Sequence, residues 1–161
     1  AKITVSEQPL YFVRGQVLEP FEISLRGYLV VADTGEKGQT MQAVNALGQR
    51  REEAPERVNG LLEELGKLSR RVREVLTGDE LPILGACMTR AQEALRELGV
   101  SNASLDHLID AAQSHGALGS KLTGGGWGGC ILALTPDPDE AKRMQSILQQ
   151  SSAHQTWVLA L

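Results

Sequence analysis

The sequence predicts an α+β domain: a mostly antiparallel sheet with helices packed on one face. Three observations carry this. Continuous apolar runs at residues 28–32 and 131–134 fit central strands, two long stripes of apolar residues at three-and-four spacing occupy residues 58–98, and the closing run 155–161 is a strand that a sheet must accept. The 161 residues carry no internal repeat or low-complexity linker, which fits one domain able to bury its own core.

In chain order, residues 3–12 are β-rich around Glu7-Gln8-Pro9, predicting two short strands with the break suited to a sheet edge. Phe21, Ile23 and Leu25 alternate with Glu22 and Ser24, predicting a strand with one wet face. The central run 28–32 ends at Asp33-Thr34-Gly35. Glu36-Lys37-Gly38-Gln39-Thr40 then leads into a helical pattern carrying Met41, Val44 and Leu47, with Thr40 placed as its N-cap. A strand end, a glycine-containing loop and a helix N-terminus form a set of donors favourable to negative charge; the alternative is a loop whose polar groups satisfy only local backbone.

Val58, Leu61, Leu65, Leu68, Val72 and Val75 form one stripe, and Thr77-Gly78-Asp79 stops that helix and caps the next. Leu84, Cys87, Met88, Ala91, Ala94, Leu95 and Leu98 form the second, closed by Gly99, so the two helices should pack antiparallel. Ser104 is expected to cap a third helix bearing Leu105, Leu108, Ile109 and Ala112. Asp137-Pro138-Asp139-Glu140 opens another, with an N-cap acid, Pro at the first position and Glu at the third.

Composition excludes several classes. A net charge of -4 has the wrong sign for a general nucleic-acid binder, and the one basic cluster, Arg70-Arg71-Val72-Arg73, reads as a solvated helix face among glutamates. No apolar run approaches the ~18 residues of a membrane span, so no membrane partner is expected. Cys87 and Cys130 have neither Cys-x-x-Cys spacing nor neighbouring histidines; they read as small core residues of a reduced, cytoplasmic protein, with no metal site. His107 and His115 sit two turns apart on one helical pattern without a carboxylate partner, His154 begins the last strand, and Asp33 reads as a loop-capping aspartate.

The most distinctive stretch is Ser120-Lys121-Leu122-Thr123-Gly124-Gly125-Gly126-Trp127-Gly128-Gly129-Cys130. Five glycines in six positions let backbone amides turn toward an anion or toward a tightly packed neighbour, and Lys121 and Thr123 add a charge and a hydroxyl at the mouth. The stretch fits neither the Walker A spacing nor the dinucleotide fingerprint. Composition alone leaves both readings open, a phosphate-facing surface and a packing turn.

This run resembles the third motif of the GHMP small-molecule kinases, most closely that of mevalonate kinases. Leu29-Val30-Val31-Ala32-Asp33-Thr34-Gly35 with Lys37-Gly38-Gln39-Thr40, Leu98-Gly99-Val100-Ser101 with Ala103-Ser104-Leu105-Asp106, and the closing Gln155-Thr156-Trp157 agree, in the same order. The resemblance implies the ferredoxin-like GHMP kinase C-terminal domain over residues 1–161, with residues 1–25 as strands shared with an amino-terminal half. It implies transfer of the ATP γ-phosphate to mevalonate in isoprenoid precursor synthesis, with ATP and Mg²⁺ held mainly by that other half. Family members are about twice as long, and their catalytic lysine and aspartate precede the segment that Ala1 begins; the resemblance therefore implies no catalytic residue here and an inactive fragment.

The residues it assigns to substrate binding or phosphate-loop support are Thr40, Ser120, Lys121, Thr123, Gly124, Gly125 and Gly126. Trp127 departs from the small residue frequent at that point, and its indole is expected to pack against a neighbour or cover part of the site. Expected partners are mevalonate, ATP, the amino-terminal half and, as an option, a second copy in a homodimer. The competing readings are a stand-alone module binding an anionic metabolite, or a sibling GHMP kinase acting on phosphomevalonate, galactose or homoserine.

Overall fold

The computed structural model describes residues 9–161. A short antiparallel ribbon, β1 (Leu10–Tyr11) and β2 (Glu19–Pro20), precedes β3 (Tyr28–Asp33). Four helices follow: α1 (Thr40–Glu53), α2 (Pro55–Leu76), α3 (Leu81–Glu97) and α4 (Ala103–Ser114). Then come β4 (Gly119–Thr123), β5 (Cys130–Thr135), α5 (Pro138–Gln150) and β6 (Gln155–Ala160). The main sheet has the order β4-β5-β3-β6, antiparallel throughout. With α4 and α5 as crossovers this is the split βαβ arrangement, and it confirms the α+β class.

The registers fix two faces. Val30 lies opposite Ala133 and Ala32 opposite Ile131, and these side chains, with Leu122, meet Leu105, Ile109 and Ala112 of α4 and Met144 and Leu148 of α5. This is the expected helical layer. On the other face, Leu29 and Leu134 meet Leu25, Val75, Leu84 and Met88, so the α2–α3 hairpin covers the second face: helices pack on both sides of the sheet rather than on the single face expected, because β3 and β5 are apolar on both sides. Burying each such Leu or Ile contributes about 1.5–3 kcal/mol. Edge strand β4 sits against α3, where Gly85 and Gly119 approach so closely that a Cβ on either would overlap the other chain segment.

Several local expectations shift. The portion of the first β-rich segment at residues 1–8 lies outside the described residues; of the rest, only Leu10–Tyr11 pairs. Residues 21–25 form no ladder: the Ser24 and Leu25 amides both donate to the Leu76 carbonyl, so the alternating pattern buries Leu25 against the end of α2 instead of joining a sheet. Arg73, expected in a solvated basic face, holds the ribbon to α2, bonding Glu19 at 2.6 Å with its guanidinium 4.7 Å from the Tyr11 ring centroid. The N-cap of α4 is Asn102, whose side chain accepts from the Leu105 amide at 3.0 Å, rather than Ser104. The helix α3 starts after Glu80 with no side-chain cap, so Asp79 does not cap it. At α5, Asp137 caps the Asp139 and Glu140 amides as expected.

Candidate functional site

The glycine loop joins β4 to β5 and is fastened on two sides. From the β3–α1 connection, Thr34 donates to the Gly129 carbonyl through its amide (2.9 Å) and hydroxyl (2.8 Å), and the Gly129 amide donates to the Glu36 carbonyl at 2.8 Å. From the α3–α4 connection, the Trp127 amide donates to the Val100 carbonyl at 3.0 Å and the indole Nε1 to the Gly99 carbonyl at 2.7 Å. Trp127 holds φ at +54°, uncommon for a bulky residue, and both of its N–H groups are satisfied in that conformation. The Glu36 carboxylate closes the bracket, accepting from Asn102 Nδ2 (2.8 Å) and Ser104 Oγ (2.6 Å).

Gly124 and Gly125 are left exposed at the tip. Gly124 and Gly126 have φ of +88° and +82°, the left-handed region that glycine enters without penalty. Gly125 does not; it is small for another reason. A Cβ there would overlap Thr40 Oγ1, Cγ2 and Cβ, so the tip of the loop rests on the start of α1. Thr40 is the first helical residue and not the expected N-cap; that place belongs to Gln39, which makes no side-chain cap bond. The first-turn amides of α1 thus lack a side-chain acceptor, and the turn carries no acidic residue, a favourable setting for an external anion beside the loop.

Of the residues expected at a phosphate-facing site, the structure gathers Thr40, Gly124, Gly125 and Gly126, with Thr123 at the end of β4 leading in. Ser120 and Lys121 do not present their side chains to the loop. Ser120 is fully buried and donates to the Ile109 carbonyl at 3.2 Å, facing α4. Lys121 alternates to the other face, where Nζ reaches only the Leu122 carbonyl at 2.5 Å and burial pushes its pKa down. Asp33 caps its own turn, accepting from the Gly35 amide at 3.0 Å.

Gln92, Glu36 and Asn102 were not singled out by the sequence. Gln92 is buried and substitutes for a missing strand: its Oε1 accepts from the Leu122 amide on the edge of β4 at 2.9 Å, and its Nε2 donates to Ser101 and Asp106. A Gln inside an apolar stripe carries no signal of that role. Asn102 did carry one, as a preferred N-cap residue directly before a helical pattern.

Among the described residues no group of three or more His, Cys, Asp or Glu is placed to hold a metal ion, and no step is assigned here to the implied Mg²⁺. Among the same residues no helix is long and apolar enough to cross a membrane.

A family profile described as GHMP kinases C terminal matches residues 33–154. The mevalonate kinase of Pyrococcus horikoshii is 39% identical over 132 residues, covering 79% of this chain and 39% of that protein. The crystal structure of L. major mevalonate kinase in complex with R-mevalonate superposes with a TM-score of 0.86 at 27% identity, covering 94% of this chain and 48% of the other. Mevalonate kinase from methicillin-resistant Staphylococcus aureus MRSA252 gives 0.72 at 28% identity, again over 48% of its length. The chain spans less than half the length of each of these relatives.

Proposed function

The chain belongs to the GHMP kinases, as their C-terminal domain, and from that premise we propose that it forms one wall of the cleft of an ATP-dependent mevalonate kinase. In this reaction the primary hydroxyl of mevalonate attacks the γ-phosphorus of ATP, the bond from that phosphorus to the β,γ-bridging oxygen breaks, ADP leaves and the hydroxyl proton passes to a base. Catalysis of this kind rests on in-line placement and on cancelling charge at the phosphate oxygens.

The observation that carries the proposal is the convergence of three separate stretches on one loop. Residues 34–40, 99–104 and 123–129 are far apart in sequence and are laced together by Thr34, Glu36, Val100 and Trp127, leaving Gly124, Gly125 and Thr40 facing outward. That surface suits a supporting role toward phosphate: exposed backbone amides, a hydroxyl and the uncapped start of α1. Thr40 would bond the acceptor alcohol or steady the loop tip. The beside-loop carboxylates are already engaged, Asp33 by Gly35 and Glu36 by Asn102 and Ser104, so we place the general base, ATP and Mg²⁺ on an amino-terminal half and expect residues 1–161 alone to be inactive. Two unpaired cysteines accord with a cytoplasmic setting.

The test is ADP release by the full-length protein with ATP and R-mevalonate, run against phosphomevalonate, galactose and homoserine. Mevalonate should give the highest kcat/KM. Absence of mevalonate-dependent turnover, or a higher kcat/KM for one of the others, overturns the substrate assignment. Turnover by residues 1–161 alone would overturn the half-site reading, and tight saturable binding of ATP or mevalonate by them would favour a stand-alone module.

A further inference from the structure

A cavity of about 560 Å³ lies between the second face of the sheet and the α2–α3 hairpin, far in character from the glycine loop. Its wall is mainly aliphatic: Leu29 and Leu132 from the sheet, Leu68 and Val72 from α2, Leu84 and Met88 from α3, with Ser69 and Cys87 also on it and no aromatic ring among the described lining residues. Cavities of this size accommodate small organic ligands, and an apolar lining of this kind disfavours water as the occupant. Among the described residues the only charged side chain on the wall is Lys121, placed there because β4 alternates and Lys121 lies opposite Leu132.

Lys121 has no carboxylate partner among the described residues. Its ammonium bonds the neighbouring Leu122 carbonyl, and burial alone sets the direction of its pKa shift. A partly buried ammonium in an aliphatic wall is unfavourable until an opposite charge joins it. The complement of this wall is a molecule with one negative charge and an unbranched apolar body. A second charge would find no partner, and a flat ring would find no matching surface.

We propose that the cavity binds an aliphatic monoanion of the fatty-acid type, its carboxylate paired with Lys121 and its chain lying among Leu68, Leu84, Met88 and Leu132. This site is separate from the glycine loop, and its existence does not depend on the kinase assignment.

The test is calorimetric titration of the full chain with decanoate below its micellar concentration, alongside 1-decanol, decyl phosphate and phospholipid vesicles. Decanoate should bind one per chain, at least tenfold tighter than decanol. The series hexanoate, octanoate, decanoate should tighten by roughly threefold to fourfold per methylene. Lys121→Met should erase the preference for the carboxylate while leaving decanol binding intact; if that variant fails to fold by circular dichroism, Lys121→Gln is read in its place. Equal affinity for decanoate and decanol, a preference that survives loss of Lys121, tighter binding of dianionic decyl phosphate, or binding seen only with vesicles would each overturn the proposal.

Discussion

The Trp127 indole donates to the Gly99 carbonyl at 2.7 Å, tying the glycine loop to the chain just beyond α3. Its backbone amide makes the neighbouring bond to Val100, so one residue fixes both the position and the tilt of the loop. Trp127→Phe keeps an aromatic ring, smaller than the indole, and removes the N–H donor. The loss should be about 1–2 kcal/mol of stability, because a partly buried carbonyl is left without its partner. Urea unfolding measures this; an unchanged midpoint would show that water replaces the indole without cost.

Gly125 and Thr40 should be coupled. Gly125→Ala places a methyl on the Thr40 side chain and should cost about 1–3 kcal/mol through overpacking, with no contribution from backbone strain because Gly125 lacks a positive φ. Adding Thr40→Gly empties the space and should recover much of that loss. A double-mutant cycle by thermal unfolding reads the coupling, and simple additivity of the two substitutions would show that the loop tip and α1 do not touch in solution.

The parts of this fold legible in the sequence are those whose signal is local. The run 28–32 is apolar on both faces because β3 is central and both faces are packed, and Asp137 caps α5 because its own side chain reaches the next two amides. The glycine loop was visible as a motif, yet why Gly125 is glycine was not: the cause is Thr40, 85 positions away, rather than its own dihedral angle. Residues 21–25 show the reverse failure. Their alternation is that of a strand, but the amides of Ser24 and Leu25 are taken by Leu76, a tertiary contact that no local pattern announces. Met41 and Val44 fit the helical period and are nonetheless exposed, because among the described residues no element packs on that side of α1.

Cys130 should be a slow nucleophile. Burial, and then the negative charge of Asp33, hold its thiol above the ordinary range, so less thiolate forms at a given pH. In a Cys87→Ser background, alkylation by iodoacetamide at pH 8.5 should run slower than for free cysteine. Asp33→Asn removes the smaller of the two causes and should speed the reaction modestly. A rate at or above that of free cysteine would contradict both causes.

Gln92→Leu should be among the more damaging single changes in α3. The substitution keeps roughly the same bulk but leaves the Leu122 amide, on the edge of β4, without an acceptor, and frees Asp106 and Ser101 from one donor. The expected cost is about 1–3 kcal/mol. Amide hydrogen exchange locates it: protection at Leu122 should fall while Ile131 and Leu132, inside the sheet, stay protected. Uniform loss across the sheet would point to a general packing defect instead.

Lys121 makes stability depend on pH in a defined direction. Burial lowers its pKa in the folded chain below the ordinary lysine value of 10.5. Between the lowered value and 10.5 the unfolded chain holds a proton that the folded chain has released, so unfolding takes up protons and stability rises with pH across that window. Below it, both states are protonated and the folded state carries the full penalty of a buried ammonium. Lys121→Met, which has no proton to lose, should therefore be more stable than the parent at pH 7, and the gap should narrow as pH climbs toward 10.5. The other ionisable groups, Cys130 among them, are present in both proteins and largely cancel in the difference. Urea unfolding of the pair at pH 7 and pH 10 reads the effect directly; a gap that stays constant or widens would mean that the Lys121 ammonium remains solvated, and the charge complementarity argued for the cavity would fall with it.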